Sequence, residues 1–95
     1  TTDGVWEIAR DIPSNRWVHL AVAYDRGAVG NVPVVYLDGV PVALTVVTSP
    51  AGTQQSAATL LRVGSDGSTN NRWKGRLDEI RLYNRLVPDD QVPLL

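Results

Sequence analysis

Short apolar runs separated by Gly, Pro, Asn, Asp and Ser turn signals recur along this chain, the pattern of short β-strands. Residues 4–10, GVWEIAR, read as a short strand that ends in the turn-like DIPSN. Residues 17–25, WVHLAVAYD, are apolar at both parities. Such a run predicts a central strand covered on both sides. The loop RGAVGN follows, then VPVVYLDGVPVALTVV. The pair Asp38-Gly39 inside that run predicts a hairpin, since both central positions of the tight turn need positive φ. Residues 48–58 are rich in Ser, Thr, Gln, Gly and Pro and read as a loop, residues 59–64 as a strand, and SDGSTNN as a polar loop. A last strand is predicted around 76–84. Pro88 and Pro93 rule out a long helix in the tail, leaving room for one helical turn over 89–92.

Five or six short strands with little helix predict an all-β fold, an antiparallel two-sheet β-sandwich or jelly roll. Phenylalanine is absent. Trp17, Trp73, Tyr24, Tyr36 and Tyr83 are therefore expected to supply the bulky core.

The last strand carries an anomaly. Ile80 and Leu82 share a face, and the same parity places Asp78 with them. A carboxylate turned into a core needs hydrogen bonds, a cationic partner or a metal ion. Asp78 is thus expected to be buried and stabilising.

Composition narrows the function classes. The chain has 95 residues, enough for one domain, residues 1–95, with a thin core. Apolar residues make up 43%, which argues against disorder. Nine basic residues nearly balance ten acidic ones, so no nucleic-acid surface is expected. No apolar run is long enough to insert in a membrane. Cysteine is absent, which removes disulfides, thiolate metal sites and thiol catalysis.

Five motifs occur in order: WVHLAVAYD at 17–25, VYLDG at 35–39, LRVG at 61–64, WKGRLDEIRLYNR at 73–85 and the acidic turn PDDQV at 88–92. In this order and spacing the chain resembles the laminin-G-like, concanavalin-A-like jelly-roll domains, over residues 17–92. The resemblance implies a sandwich with a non-enzymatic binding or adhesion role in a larger secreted or cell-surface protein. Such domains are usually longer, so the first strands are expected to be missing. That would leave an open sheet edge and favour self-association. Relatives of this fold often hold a calcium ion near the last strand, which makes Asp78 a candidate ligand. An Asp78 that accepts backbone N–H groups, or pairs with Arg76 or Arg81, is the open alternative.

Catalysis lacks its parts. Asp78 and Glu79 are adjacent, so on a strand they point to opposite faces and cannot flank one glycosidic bond. Glu7 lies far from Glu79 in sequence. His19, the single histidine, has no triad motif around it and reads as a hydrogen-bonded core residue. For ligand recognition the polar loop stands out, with Asp66, Asn70, Asn71 and Arg72 as candidate contacts to a glycan. A solvated loop is the alternative. Trp6 is a candidate stacking platform or a packing residue. Two functions stay open: a carbohydrate-binding or adhesion module, and a structural or protein–protein interaction domain with no small ligand.

Overall fold

The computed structural model describes residues 2–54 and 61–95. Five strands form two antiparallel sheets. In chain order they are β1 (Val5–Ile8), β2 (Leu20–Ala23), β3 (Val34–Leu37), β4 (Val40–Val42) and β5 (Leu44–Thr48). One sheet is β2-β3-β4 and the other is β1-β5. The protein is therefore all-β with two sheets, and its one regular helical element is a 3-10 turn, Val92–Leu94, among the described residues.

The β3–β4 hairpin forms where the sequence places it. Asp38 has φ 50° and Gly39 has φ 80°, the two left-handed positions of a tight hairpin turn. Leu37 faces Val40 across it. Asp38 also clamps the preceding loop. Its carboxylate accepts the His19 backbone N–H at 2.9 Å and the Arg16 guanidinium at 3.0 Å. The His19 bond, then that of Arg16, holds this carboxyl below the usual aspartate value.

The run 40–47 does not continue as one strand. β4 pairs with β3, while β5 leaves for the second sheet and pairs with β1, in register Glu7 with Thr45 and Ile8 with Leu44. A register shift between Val5 and Trp6 marks a bulge in β1. The ladder extends past the strand ends through Thr2 and Ala51, which exchange backbone bonds at 2.8 and 3.1 Å.

The core centres on β3, paired on both edges. Val35, Tyr36 and Leu37 are buried in succession, so both faces of this strand are covered. Val92, from the C-terminal turn, is the other buried apolar side chain among the described residues. The turn begins at Pro88, whose carbonyl accepts N–H groups from Gln91 and Val92 at 2.9 and 3.2 Å. It is fastened by the Tyr36 hydroxyl, which donates to Asp89. Pro93 closes over the hairpin: a Cβ on Gly39 would stand 3.1 Å from the Pro93 backbone. Glycine is therefore required at 39 for its φ and for this approach.

Several expectations fail. The strand predicted at 76–84 is absent: Glu79 takes φ 54°, a left-handed conformation that breaks an extended run. Asp78 is exposed, not buried, and Ile80 and Leu82 are 63% and 80% exposed. With no pleat there, parity no longer assigns faces. Trp17 and Trp73 are 64% and 45% exposed, so they do not form the core, and Tyr24 and Tyr83 are exposed as well. The strand β2 is an edge strand, with Leu20 and Val22 exposed, and His19 is an exposed residue. Of the strand predicted at 59–64, residues 59 and 60 lie outside the described residues and 61–64 are not in a strand. Much of the predicted loop's end, 55–58, also lies outside them. The chain exposes 7828 Å². A compact domain of this size exposes about 5,400 Å².

Tyr36→Phe should lower stability by about 1 kcal/mol, the net value of one such hydrogen bond. The bond to Asp89, then burial, raises the Tyr36 pKa above its ordinary 10.0. The unfolded chain then loses this proton before the folded chain does. Stability conferred by the tyrosine is complete below pH 10 and declines as pH climbs past it. Urea unfolding at neutral pH and at about pH 10.5 should show a steeper alkaline loss in the wild type than in Tyr36→Phe. Equal losses would remove Tyr36 as the cause.

Candidate ligand-binding site

The loop 65–72 is built from short polar side chains that bond to nearby backbone, the usual behaviour of Ser, Asp and Asn in turns. A bridge between Ser65 and Arg72 closes its base. Asp66 organises the interior. Its carboxylate accepts the Ser68 N–H at 2.8 Å and the Asn71 amide at 2.6 Å. Ser68 Oγ in turn accepts the Asn70 and Asn71 N–H groups at 3.3 and 3.1 Å. The Arg62 guanidinium donates to the Asp66 carbonyl at 2.8 Å. The Asn71 bond, then the Ser68 N–H, pulls the Asp66 carboxyl down to about 2.

This internal bonding divides the four residues named from sequence. Asp66 and Asn71 are spent on each other. Asn70 and Arg72 are exposed, and their side chains take no part in the bonds that close the loop. Trp6, the fifth candidate, stands apart on β1. It is half-buried, with its ring centroid 6.2 Å from that of Tyr24 at an interplanar angle of 51°. The contact joins the two sheets, a role that spacing alone could not reveal.

Asp78 is the candidate calcium ligand, with backbone N–H acceptance or pairing to Arg76 or Arg81 as the alternative. Its carboxylate accepts the N–H of the next residue, Glu79, at 2.8 Å. Glu79 pairs with Arg81 at 3.1 Å in an exposed contact. Calcium takes six to eight oxygen ligands. No group of three or more His, Cys, Asp or Glu is gathered among the described residues. The donors present around Asp78 do not fit the ion, and a calcium there would need ligands from elsewhere.

A second surface escaped the sequence reading. A groove of about 380 Å³ runs beside β2, lined by consecutive residues 19–24 and by Leu82, Tyr83 and Leu86 among others. Consecutive lining residues mean that the groove follows the edge of the strand rather than one face. Its lining mixes the exposed apolar side chains of Leu20, Val22 and Leu82 with the charged ones of Glu79, Arg81 and Arg85.

Residues 1–93 match the concanavalin A-like lectin/glucanases superfamily, Laminin_G_3. The match reaches the N-terminus, so Trp6 and β1 lie inside it and not before it. The chain is 27% identical over 84 residues, 88% of its length, to the adhesion G-protein coupled receptor V1 of Danio rerio. It spans about 1% of the length of that curated relative. No solved structure matches the chain. No helix among the described residues is long and apolar enough to cross a membrane.

Two outcomes test this geometry. Because the Asp66 pKa is lowered, the order it gives the loop is complete above the ordinary aspartate value of 3.8 and is lost as pH falls toward about 2. The amide signals of Gly67 and Ser68 should titrate near that lower value, and Asn71→Ala should move the midpoint up. Titration at the ordinary value would mean the clamp is not formed in solution. Asp78→Ala, at an exposed site, should change unfolding free energy by less than about 0.5 kcal/mol, as read by thermal melts with and without a chelator.

Proposed function

Because the chain belongs to the concanavalin A-like lectin/glucanases superfamily, we propose that it is a non-catalytic binding or adhesion module of a larger secreted or cell-surface protein. The observation that carries this reading is the loop 65–72, closed by the hydrogen bonds of Asp66 and leaving Asn70 and Arg72 exposed. Asparagine supplies a donor and an acceptor, and arginine a planar fork of donors, which suits the paired hydroxyls of a glycan. The similarity to a protein named as an adhesion receptor supports the adhesive role.

The apolar groove beside β2 favours a second reading, a protein-interaction module. Leu20, Val22 and Leu82 are exposed along it. Pairing of two β2 edges would supply the self-association expected of an open sheet.

A glycan array followed by titration tests the first reading. Affinity should be on the order of 10 µM to 1 mM, since a shallow polar site buries little apolar area. Asn70→Ala and Arg72→Ala should each weaken binding about fivefold, near 1 kcal/mol. An empty array with concentration-dependent dimers in sedimentation would transfer the function to the groove. Turnover of a β-glucan above blank would overturn the non-catalytic assignment.

A further inference from the structure

The chain carries three Asp-Gly steps, at 3–4, 38–39 and 66–67. Glycine has no Cβ to crowd its own amide nitrogen, so the aspartyl side chain before it can close on that nitrogen. The structure treats the three steps differently. We propose that Asp3-Gly4 is a site of spontaneous isoaspartate formation, and that the change unfastens the N-terminal end of the β1–β5 ladder. The proposal does not depend on the ligand the module takes.

The chemistry needs no partner but water. The Gly4 nitrogen bonds to Cγ of the protonated Asp3 carboxyl. The nitrogen's proton and the carboxyl hydroxyl leave together as water, and a cyclic succinimide remains. Water then adds to either ring carbonyl. Breaking the N–Cγ bond restores aspartate; breaking the bond from nitrogen to the main-chain carbonyl carbon leaves isoaspartate. One water leaves and one returns, so mass is unchanged and the residue keeps one carboxylate. The step needs a carboxyl that can rotate and take up a proton, and an amide nitrogen with no other bond to keep.

Two of the three steps are held. The Asp66 carboxylate accepts the Ser68 N–H at 2.8 Å and the Asn71 amide at 2.6 Å, and the Gly67 N–H donates to Ser65 Oγ at 3.0 Å. With its carboxyl at about 2, Asp66 at about pH 5 has a protonated fraction on the order of fiftyfold below that of an aspartate at 3.8. Asp38 accepts the His19 N–H at 2.9 Å and the Arg16 guanidinium at 3.0 Å, and Pro93 closes over Gly39. Asp3 differs on each count. It is exposed, and its carboxylate has no hydrogen bond or ion pair among the described residues. The Gly4 N–H donates to no group among them.

Position 3 also lies between two ladder pairs, Thr2 with Ala51 and Val5 with Thr48. Residues 2–5 and 48–51 match one for one. Isoaspartate routes the main chain through Cβ and Cγ, one methylene longer, and that match is lost. The Thr2–Ala51 pair gives way because it is an isolated bridge at the ladder's end, whereas β1 and β5 pair at successive positions.

The test incubates the intact chain at about pH 5, just above the ordinary carboxylate range, both folded and in urea. The three steps fall on separate tryptic peptides, 1–10, 27–62 and 63–72. Isoaspartyl forms separate by chromatography at unchanged mass and resist an aspartate-specific endoprotease. In the folded chain, isoaspartate should accumulate at 3 at least about tenfold faster than at 66, the effect of one unit of carboxyl pKa alone, and faster than at 38. In urea the three rates should converge. Asn71→Ala should raise the rate at 66 and leave that at 3 unchanged, and Asp3→Ser should give no second form of peptide 1–10. In the separated isoaspartyl chain the Ala51 amide, which donates to the Thr2 carbonyl, should lose protection from exchange while β1 and β5 keep theirs. Equal rates at the three steps in the folded chain, or a faster one at 38 or 66, would overturn the site. Full protection of Ala51 in the isoaspartyl chain would overturn the effect on the ladder.

Discussion

The hydrogen bond from Tyr36 to Asp89 ties β3, paired on both edges, to the far end of the chain. Much else hangs on it. With so few side chains buried, the domain has little apolar burial to hold its C-terminal segment in place. A buried tyrosine cannot leave its hydroxyl unpartnered without a desolvation cost. Asp89 supplies the partner, the turn from Pro88 presents Asp89, Val92 is buried, and Pro93 closes on Gly39. A polar anchor and a hydrophobic one thus act on the same strand and the same turn.

Elsewhere, carboxylates do locally what a larger core would do globally. Asp38 binds the loop before β2 to the hairpin, and Asp66 gathers the loop 65–72 around itself. Both are exposed, so each bond competes with water and adds modestly to global stability. Their effect is on shape. They fix backbone that has no ladder to fix it, and in the second case they leave neighbouring side chains outward and available.

The apolar surface left over is distributed, not random. Leu20 and Val22 on the edge of β2 face a groove whose other wall includes Leu82, Tyr83 and Leu86. Surfaces of this kind on a monomer mark contact sites. The polar loop 65–72 is different in kind, built from side chains that bond to nearby backbone.

The sequence by itself determined the class of fold and the elements that depend on local chemistry. The hairpin at Asp38-Gly39 follows from two positive φ angles that few residue pairs accept. The short apolar, β-prone runs around 5–8, 20–23 and 34–37 gave strands there, and the ordered motifs identified the family. The polar loop was legible because Ser, Asp and Asn bond to their own backbone. Tertiary structure alone decided the rest. Alternation assigns a face only if a neighbouring strand pairs with the segment. Glu79 turns left-handed, so the parity argument that buried Asp78 had no sheet to act on. The splitting of 40–48 between two sheets, the Trp6–Tyr24 contact and the bond between Tyr36 and Asp89 all join residues distant in sequence. Periodicity and propensity are properties of neighbours along the chain. Which strand lies beside which, and hence where a cleft opens, depends on contacts whose loop-closure cost and burial gain are set by the whole fold.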